Sequence, residues 1–395
     1  MHDPSTIPFH RPSIGRAEKE AVERVLDSRW LTTGDVTLQF EREFAAYVNC
    51  NRALAVNSGT AALQLALAAV GLSRNDEVLV PTYTFTATAE VVAYFGARPV
   101  LCDTLPGEFN LDCRDAEQRV TERTRAIIPV HIAGQVCDLE AVHTMARRYK
   151  LHVIEDAAHA LPASWRGQRI GSLSALTAFS FYATKTLTTG EGGMLTIDDE
   201  QLAARAAMLR LHGIGSEVWK RYSNAGSWYY EVQDAGYKMN MPDLLAAIGR
   251  VQLQKCDALQ WRRQEIATAY NEAFADVPEL ETPPVGDTRG QHAWHLYILR
   301  LRPERLNIGR AEFVQQLKAQ GIGASVHFIP LHLHPFYARE YGYRPGDFPN
   351  AEDAYSRCLS LPIFPDLTLA EVDRIINTVR ATVWANRVHT VAAVS

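Results

Sequence analysis

The stretch Phe179-Ser-Phe-Tyr-Ala-Thr-Lys185-Thr-Leu-Thr-Thr-Gly-Glu-Gly-Gly193 places a lysine just after a short apolar strand and before a loop of small residues and glycines. Lysine normally titrates near ~10.4 and is therefore charged at neutral pH. Burial or a neighbouring cation lowers that pKa, and the free amine is then a nucleophile. Lys185 is thus a candidate for forming a Schiff base at the mouth of a sheet, although most lysines are solvated surface charges.

A carboxylate lies upstream, in Leu151-His-Val-Ile-Glu-Asp156-Ala-Ala-His159. This segment predicts a short buried strand that ends at Asp156, and α/β sheets bind ligands at the carboxyl ends of their strands. If the cofactor is pyridoxal phosphate, this carboxylate would keep the pyridine nitrogen protonated, so that the ring can accept electrons. Asp156 could instead cap the next helix. His159 is either an interior histidine or lies against the cofactor ring or its phenolic oxygen.

A third segment, Leu54-Ala-Val-Asn-Ser58-Gly59-Thr60-Ala-Ala-Leu63, predicts a strand that runs into a helix. Free backbone amides and the helix dipole make such a helix start a phosphate site. An ordinary Ser or Thr N-cap is the alternative.

Strands and helices alternate along the first two thirds of the chain. Apolar strands are predicted near 54–57, 77–80, 99–102, 126–130, 151–155, 175–181 and 193–197, with helices at 60–70, 86–95, 138–149 and 200–211. This alternation indicates an α/β fold with a mostly parallel seven-stranded sheet flanked by helices. A long helix at about 242–277 leads to a smaller α+β part. We therefore predict a large domain at 1–255 and a small C-terminal domain at 256–395.

Composition excludes several classes of protein. The net charge of −5 leaves no basic surface for nucleic acid. We expect no membrane association, because no apolar run reaches membrane-spanning length and no signal-peptide pattern is visible. The six cysteines show no paired metal-ligand spacing and suggest reduced thiols, which predicts a cytoplasmic protein without a structural metal.

Taken together, these segments resemble the DegT/DnrJ/StrS family of nucleotide-sugar aminotransferases, which are fold-type I pyridoxal-phosphate enzymes. The resemblance covers about residues 7–365. Further matching motifs are Trp30-Leu-Thr-Thr-Gly34, Asp76-Glu-Val-Leu-Val-Pro-Thr-Tyr-Thr-Phe-Thr-Ala-Thr88, Ala126-Ile-Ile-Pro-Val-His131, Gly190-Glu-Gly-Gly193 and Ala246-Ala-Ile-Gly249.

The resemblance implies a role for each matching residue. Lys185 would form the Schiff base with the cofactor and move protons, and Asp156 would bind the pyridine nitrogen. Phe85 would stack on the ring, although a Phe in a Thr-rich turn after a strand is usually a core residue. His159 occupies a position that is often Gln in relatives. The phosphate would be held by Ser58, Gly59, Thr60 and Ser180.

Asn240, in Gly236-Tyr-Lys-Met-Asn240, matches a residue that reaches the phosphate from the neighbouring subunit. The resemblance therefore implies a homodimer with shared active sites. Many relatives have Asn-Tyr-Arg at this point, and the departure here is more similar to UDP-4-amino-4-deoxy-L-arabinose aminotransferases.

Two clusters are candidates for substrate binding. His327, His332 and His334 lie close together, but no Glu or Cys completes a zinc-ligand spacing and prolines interrupt any helix, so we predict no metal. The resemblance places this loop beside the substrate, where His327 and His332 would contact sugar or diphosphate; a plain surface loop is the alternative. Arg221, in Trp219-Lys-Arg-Tyr222, would bind the nucleotide diphosphate or contribute to a dimer interface.

The implied reaction transfers the amino group of L-glutamate, through pyridoxamine phosphate, to a nucleotide-linked keto sugar. The products are 2-oxoglutarate and an amino sugar nucleotide, for a surface polysaccharide or a secondary metabolite. The segments around Lys185 and Asn240 favour carbon 4, in a 4-keto-6-deoxy sugar or a 4-keto pentose. Three alternatives remain: a keto-cyclitol aminotransferase, a catalytically idle regulatory relative, and a sugar dehydratase, in which histidine would replace Lys185.

Overall fold

The computed structural model describes residues 6–215, 229–284 and 290–388. The strands in this part are β1 (Arg52–Val56), β2 (Glu77–Pro81), β3 (Arg98–Cys102), β4 (Thr124–Ile127), β5 (His152–Asp156), β6 (Ser164–Trp165), β7 (Gln168–Arg169), β8 (Leu176–Ser180), β9 (Gly193–Ile197), β10 (Leu280–Glu281), β11 (Gly290–Gln291), β12 (Tyr297–Leu301) and β13 (Cys358–Leu361). The α-helices are α1 (Arg16–Ser28), α2 (Asp35–Val48), α3 (Gly59–Ala69), α4 (Ala87–Ala93), α5 (Cys113–Gln118), α6 (Leu139–Tyr149), α7 (Glu200–Leu209), α8 (Asp243–Phe274), α9 (Arg310–Ala319), α10 (Pro335–Tyr341), α11 (Pro349–Arg357) and α12 (Leu369–Ala385).

The main sheet has seven strands in the order β1-β9-β8-β5-β4-β2-β3. Four neighbouring pairs, from β3 to β8, are parallel, and β9 runs antiparallel to both β8 and β1. Strands β1, β5 and β8 therefore point the same way and end at the same edge of the sheet. The predicted mostly parallel seven-stranded sheet is confirmed.

Alternate residues of a central strand face opposite helical layers. Val78 and Val80 of β2 pack in one core cluster with the apolar side of α3. Leu79, between them, packs in a second cluster with Phe40 and Phe44 of α2. Because both faces are covered, β2 is buried along its whole length, which explains the apolar run that follows Glu77 in this strand.

The remainder of the described chain is built around α8. This helix was predicted at about 242–277 and spans Asp243–Phe274. A three-stranded sheet, β10-β12-β13, packs with α8, α9 and α12 around Tyr297, Phe313 and Ile375. The predicted division at 255/256 falls inside α8 and stays a prediction.

Across residues 6–215, 229–284 and 290–388, the helices are all too short or too polar to reach across a lipid bilayer.

Candidate active site

A cavity of about 440 Å³ opens at the carboxyl ends of β1, β5 and β8. It gathers most of the residues that the sequence singled out. Its lining includes Ser58, Gly59, Thr60, Phe85, Asp156, His159, Ser180, Lys185 and His327. Segments that are distant along the chain therefore meet at the edge of the sheet where α/β proteins bind ligands.

Lys185 lies in the loop between β8 and β9, and its side chain is half-buried in the cavity. The backbone N–H of Lys185 donates to the carbonyl of Tyr182 over 2.9 Å, which fixes the turn that carries the side chain. Burial lowers the pKa of the Lys185 amine to about 8, and the negative charge of Asp156 opposes this shift. A much larger fraction of this amine is therefore unprotonated at neutral pH than for an ordinary lysine.

Asp156 ends β5 and is buried, with 5% of its surface exposed. Its Oδ2 accepts a 2.8 Å hydrogen bond from the Thr88 hydroxyl, and its Oδ1 accepts one of 3.1 Å from the Ala158 N–H. Burial raises the pKa of this carboxyl, while both hydrogen bonds and the charge of Lys185 oppose the rise. The Thr88 hydroxyl is in turn 2.8 Å from that of Thr84, which extends the polar chain away from the carboxylate.

Ser58 lies two residues after the end of β1 and is the N-cap of α3. Its Oγ accepts a 3.0 Å hydrogen bond from the Ala61 N–H, as expected for a helix N-cap. Ser58 also lines the cavity, so it both caps the helix and contributes to the pocket. The next residue has to be glycine, because a Cβ at Gly59 would lie 2.7 Å from the Cβ of Ser180. The start of α3 and the end of β8 thus form a narrow cradle lined by backbone amides, which suits a phosphate.

Two aromatic side chains form part of the wall. Phe85 is 57% exposed and lines the cavity, so the structure places it in the pocket rather than in the core. His159 lies parallel to Phe328, with 5.7 Å between ring centroids. Its Nδ1 accepts a 3.3 Å hydrogen bond from the Ala133 N–H, and burial holds its pKa well below the usual value. His159 is therefore neutral, with its proton on Nε2.

The two loop histidines have different surroundings. His327 lines the cavity, and its Nδ1 is 2.9 Å from the Ser360 hydroxyl. His332 is fully buried and lies outside the cavity lining. Its Nδ1 is 2.8 Å from the Thr82 hydroxyl and its Nε2 is 2.9 Å from a carboxylate oxygen of Glu352. Both ring nitrogens of His332 have partners within the protein, so the expected contact of His332 with the substrate is not supported.

Asn240 is buried beside β1 and does not line this chain's cavity. Its Nδ2 donates to the Thr33 hydroxyl over 2.7 Å, and its Oδ1 accepts from the Lys238 amine over 2.6 Å. A contact with a partner's cofactor stays a prediction. Arg221 lies outside the described residues.

Sequence reasoning missed three cavity residues, His10, His295 and Phe328. His10 belongs to the N-terminal segment, where Ile7 pairs with Ile322 and brings the chain across the cavity. The Nε2 of His10 is 3.0 Å from the carbonyl oxygen of Ala183, close to Lys185. No spacing or motif in the sequence predicts these contacts, since they depend on pairing between distant segments.

Within the described ranges, no group of three or more His, Cys, Asp or Glu side chains is arranged to hold a metal ion.

The DegT/DnrJ/EryC1/StrS aminotransferase family model matches residues 12–380. Among curated proteins, the spore coat polysaccharide biosynthesis protein SpsC of Bacillus subtilis is 49% identical over 375 residues, 95% of this chain and 96% of SpsC.

Solved structures agree with this match. The PLP form of Spr1654 from Streptococcus pneumoniae is 34% identical, with a TM-score of 0.90 over 96% of this chain and 99% of that chain. S. venezuelae DesV, in complex with a ketimine intermediate, is 37% identical, with a TM-score of 0.85 over 94% and 95% of the two chains. On the match across nearly its whole length, the chain belongs to the DegT/DnrJ/EryC1/StrS aminotransferase family.

Proposed function

We propose that this protein is a pyridoxal-phosphate-dependent aminotransferase that moves an amino group from L-glutamate to the ketone of a nucleotide-linked keto sugar. The observation that carries the proposal is the meeting of Lys185, Asp156 and the Ser58-Gly59 cradle in one cavity. Family membership and the sugar-related relatives support the sugar substrate.

The residues present fit pyridoxal phosphate at three separate points. A buried carboxylate suits the ring nitrogen, an amine of lowered pKa suits the aldehyde, and the cradle at the start of α3 suits the phosphate. A Cβ at Gly59 would fill the cradle. The absence of a side chain there leaves room for a ligand to approach the backbone closely. When bound, the cofactor supplies an aldehyde that carries the amino group and a ring that accepts electrons.

Lys185 is the group that takes and returns the substrate proton. A general base works best when its pKa lies near the working pH, and burial brings the pKa of Lys185 to about 8. The amine would hold the cofactor aldehyde while no substrate is present. As a free amine it would take the proton from the reacting carbon of the substrate.

Asp156 would orient the cofactor ring and favour a proton on the ring nitrogen. The Thr88 hydroxyl and the Ala158 N–H hold both of its oxygens, so the carboxylate cannot rotate freely. Its ionised form is worth most when electron density enters the ring, so Asp156 contributes more to the rate than to cofactor binding.

We further propose that two copies of the chain form a homodimer in which Asn240 reaches the partner's phosphate. Support comes from its position outside its own cavity and from its motif. The same motif and the loop around Lys185 favour carbon 4 as the aminated position.

The test is a purified protein loaded with pyridoxal phosphate. L-glutamate should change its absorbance spectrum and release 2-oxoglutarate, and a panel of UDP-, GDP- and dTDP-linked 4-keto sugars should then restore the starting spectrum. Transfer to a keto-cyclitol but to none of the sugar nucleotides would refute the substrate class. A protein that ignores added cofactor would refute the activity itself.

A further inference from the structure

We propose that the pocket wall formed by His295 and His327, with Arg263 buried behind it, binds the carboxylate of the amino-acid donor. This inference rests on the proposed function, because it assigns a place to one of the two substrates. We call these three residues the donor wall.

Arg263 is a buried cation of α8 without an acidic partner in the described part of the chain. Its Nη1 lies within 2.7 Å of the Ile363 carbonyl oxygen and 3.2 Å of that of Trp294, and its Nε has no hydrogen-bond partner. The neighbouring Arg262, in contrast, pairs with Glu265 at 2.8 Å. Burial lowers the pKa of Arg263 only to about 10, so the side chain stays charged at neutral pH.

The Arg263 side chain does not line the cavity itself, but it contacts residues that do. Ile363, whose carbonyl faces Arg263, lines the cavity, and so does His295, whose carbonyl oxygen is 3.5 Å from the same Nη1. Of the full charges in the cavity lining, Lys185 and Asp156 offset each other, and Glu191 is exposed. The side of the cavity next to Arg263 therefore has a positive charge behind it that backbone carbonyls, but no carboxylate of the described chain, offset.

His295 supplies a hydrogen-bond donor at this side. It is 6% exposed and lines the cavity, and its Nδ1 is enclosed without a partner. Burial, with His159, Lys185 and Arg263 nearby, holds its pKa well below the usual value, so the ring is neutral and carries one N–H. Because Nδ1 is enclosed and the residue lines the cavity, we infer that the ring presents Nε2 to the cavity and carries its proton there. A ligand oxygen there would accept a hydrogen bond from the ring.

His327 supplies the second contact. Its Nδ1 is engaged with Ser360, and its ring lies against Phe9 at 5.2 Å, so the orientation of the imidazole is fixed. When Ser360 donates to Nδ1, the proton of the neutral ring is on Nε2. His10 does not take part, because its Nε2 is committed to the Ala183 carbonyl.

The chemistry of the two substrates decides which one uses the donor wall. An amino acid carries a carboxylate directly on the carbon that loses its proton. A nucleotide-linked sugar carries its charge on the diphosphate, several bonds away from the reacting ketone. The rings of His295 and His327 close to Lys185, with Arg263 behind the wall, therefore discriminate in favour of the amino acid, and the sugar does not need them.

The experiment separates the two half-reactions in the loaded protein. His295→Phe keeps the ring and removes the N–H. The dissociation constant of glutarate, an unreactive dicarboxylate, is measured by calorimetry on the pyridoxal-phosphate form. The single-turnover rate is then measured with L-glutamate and, separately, with the keto sugar on the protein loaded with pyridoxamine phosphate. A charge-assisted hydrogen bond of about 1.5–3 kcal/mol predicts roughly 10- to 150-fold weaker glutarate binding.

We expect the keto-sugar half-reaction of His295→Phe to change by less than about 3-fold, since its substrate does not use the donor wall. Arg263→Met should also weaken glutarate binding, and Arg263→Lys, which keeps the charge, should restore part of it. Arg262→Met, one residue along the same helix, is the matched control and should leave glutarate binding unchanged. Cofactor affinity and the circular dichroism spectrum show which variants are folded.

Equal losses in both half-reactions of His295→Phe, or unchanged glutarate binding, would overturn the inference. If wild-type protein binds pyridoxal phosphate and reacts with glutamate, such a result concerns the donor wall alone. If wild-type protein does neither, the proposed function fails first.

Discussion

Asp156 combines two properties that oppose each other, deep burial and the need to be ionised. Burial raises its pKa, and the Thr88 hydroxyl contributes the largest opposing effect. The carboxylate therefore depends on a threonine in the first turn of α4, which the sequence presents only as one of several threonines in a motif. The proposed role of Asp156 therefore also depends on Thr88, whose hydroxyl stabilises the negative charge.

Thr88→Val tests that dependence. Loss of the hydrogen bond removes a group that favours the ionised carboxylate, so the pKa of Asp156 should rise further. The acid limb of the kcat/KM profile should then move to higher pH, by roughly 0.5–1 unit if the bond contributes about 1 kcal/mol. Thr88→Ser should restore the original limb. An acid limb that stays in place in Thr88→Val would show that the hydroxyl does not set this ionisation.

Lys185→Ala removes the proposed base. Transamination should fall by at least about 1,000-fold, since general-base catalysis alone contributes about 100- to 10,000-fold and covalent attachment is also lost. Pyridoxamine phosphate should still bind, because the phosphate cradle and Asp156 remain. Lys318→Ala, an exposed lysine of α9, is the control and should keep full activity. Turnover of Lys185→Ala at the normal rate would refute the assignment.

Some of these residues could be predicted from the sequence and others could not. Lys185 and Asp156 each follow a strand within a distinctive local pattern, so local sequence was sufficient. His295 and Arg263 meet because α8 packs against two separate loops, and no local pattern carries that information. His332 was assigned to the substrate because the sequence does not show that Thr82 and Glu352 occupy both of its nitrogens.

At the scale of elements, β1 is the outermost strand of the main sheet and leads directly to the phosphate cradle. Its outer edge at Ala55 is completed by side chains. Glu41 accepts a 2.8 Å hydrogen bond from the Ala55 N–H, and Arg210 donates one of 2.9 Å to the Ala55 carbonyl. Glu41 and Arg210 also pair with each other, with only 10% and 6% of their side chains exposed. This buried pair holds β1, and with it the start of α3, against α2 and α7.

Arg210→Met leaves the carboxylate of Glu41 buried without its cation. Breaking one side of a buried ion pair typically costs about 3–5 kcal/mol, so the free energy of unfolding should fall by that amount in urea denaturation. The double variant with Glu41→Gln should recover part of the loss. Arg52→Met breaks an exposed pair with Glu200 and should cost less than about 1 kcal/mol. Equal costs for Arg210→Met and Arg52→Met would contradict a role of the buried pair in holding β1.

Gly59→Ala tests the close approach of α3 to β8. The new Cβ would lie 2.7 Å from the Cβ of Ser180, which is closer than two non-bonded carbon atoms approach in a folded protein. The cradle would have to widen, at a cost of about 1–3 kcal/mol, and cofactor affinity should fall roughly 5- to 150-fold. Gly309→Ala is the control, because a Cβ there meets open space. Unchanged cofactor affinity in Gly59→Ala would show that the cradle is not part of the cofactor site.

Elements with a long periodic pattern were predicted closely. Helix α3 was expected at 60–70 and spans Gly59–Ala69, and each of the seven main strands was expected within a few residues of its observed place. The small sheet β11-β6-β7 was not foreseen. Its strands have two residues each, which is too short for alternation to appear, and β6 pairs with a segment far along the chain.

At the scale of the molecule, the cavity is closed from two directions. The main sheet contributes Asp156, the loop between β8 and β9 contributes Lys185, and the C-terminal part contributes His327, Phe328 and Ile363. The chemistry-bearing groups and the donor wall thus belong to different parts of the chain. The proposed role of Asn240 concerns a second copy of the chain, because Asn240 lies outside the lining of its own cavity.

Mixed subunits test the shared site. In the proposed dimer, each site combines Lys185 of one chain with Asn240 of the other. A mixed dimer of a Lys185→Ala chain and an Asn240→Ala chain therefore has one site in which both residues are present. Equal mixing after dissociation should restore about a quarter of the sites, since half of the dimers are mixed and each contains one intact site. Each variant refolded alone is the control. Absence of any recovery at every mixing ratio would count against sharing of the site between subunits.

Borohydride reduction of the pyridoxal-phosphate-loaded protein, followed by peptide mapping, probes the attachment on which the whole proposal rests. We predict that the phosphopyridoxyl label is found on the peptide that contains Lys185 and is lost in Lys185→Ala. A label on another lysine, or none at all in protein that has bound the cofactor, would contradict the assignment of this pocket as the site of catalysis.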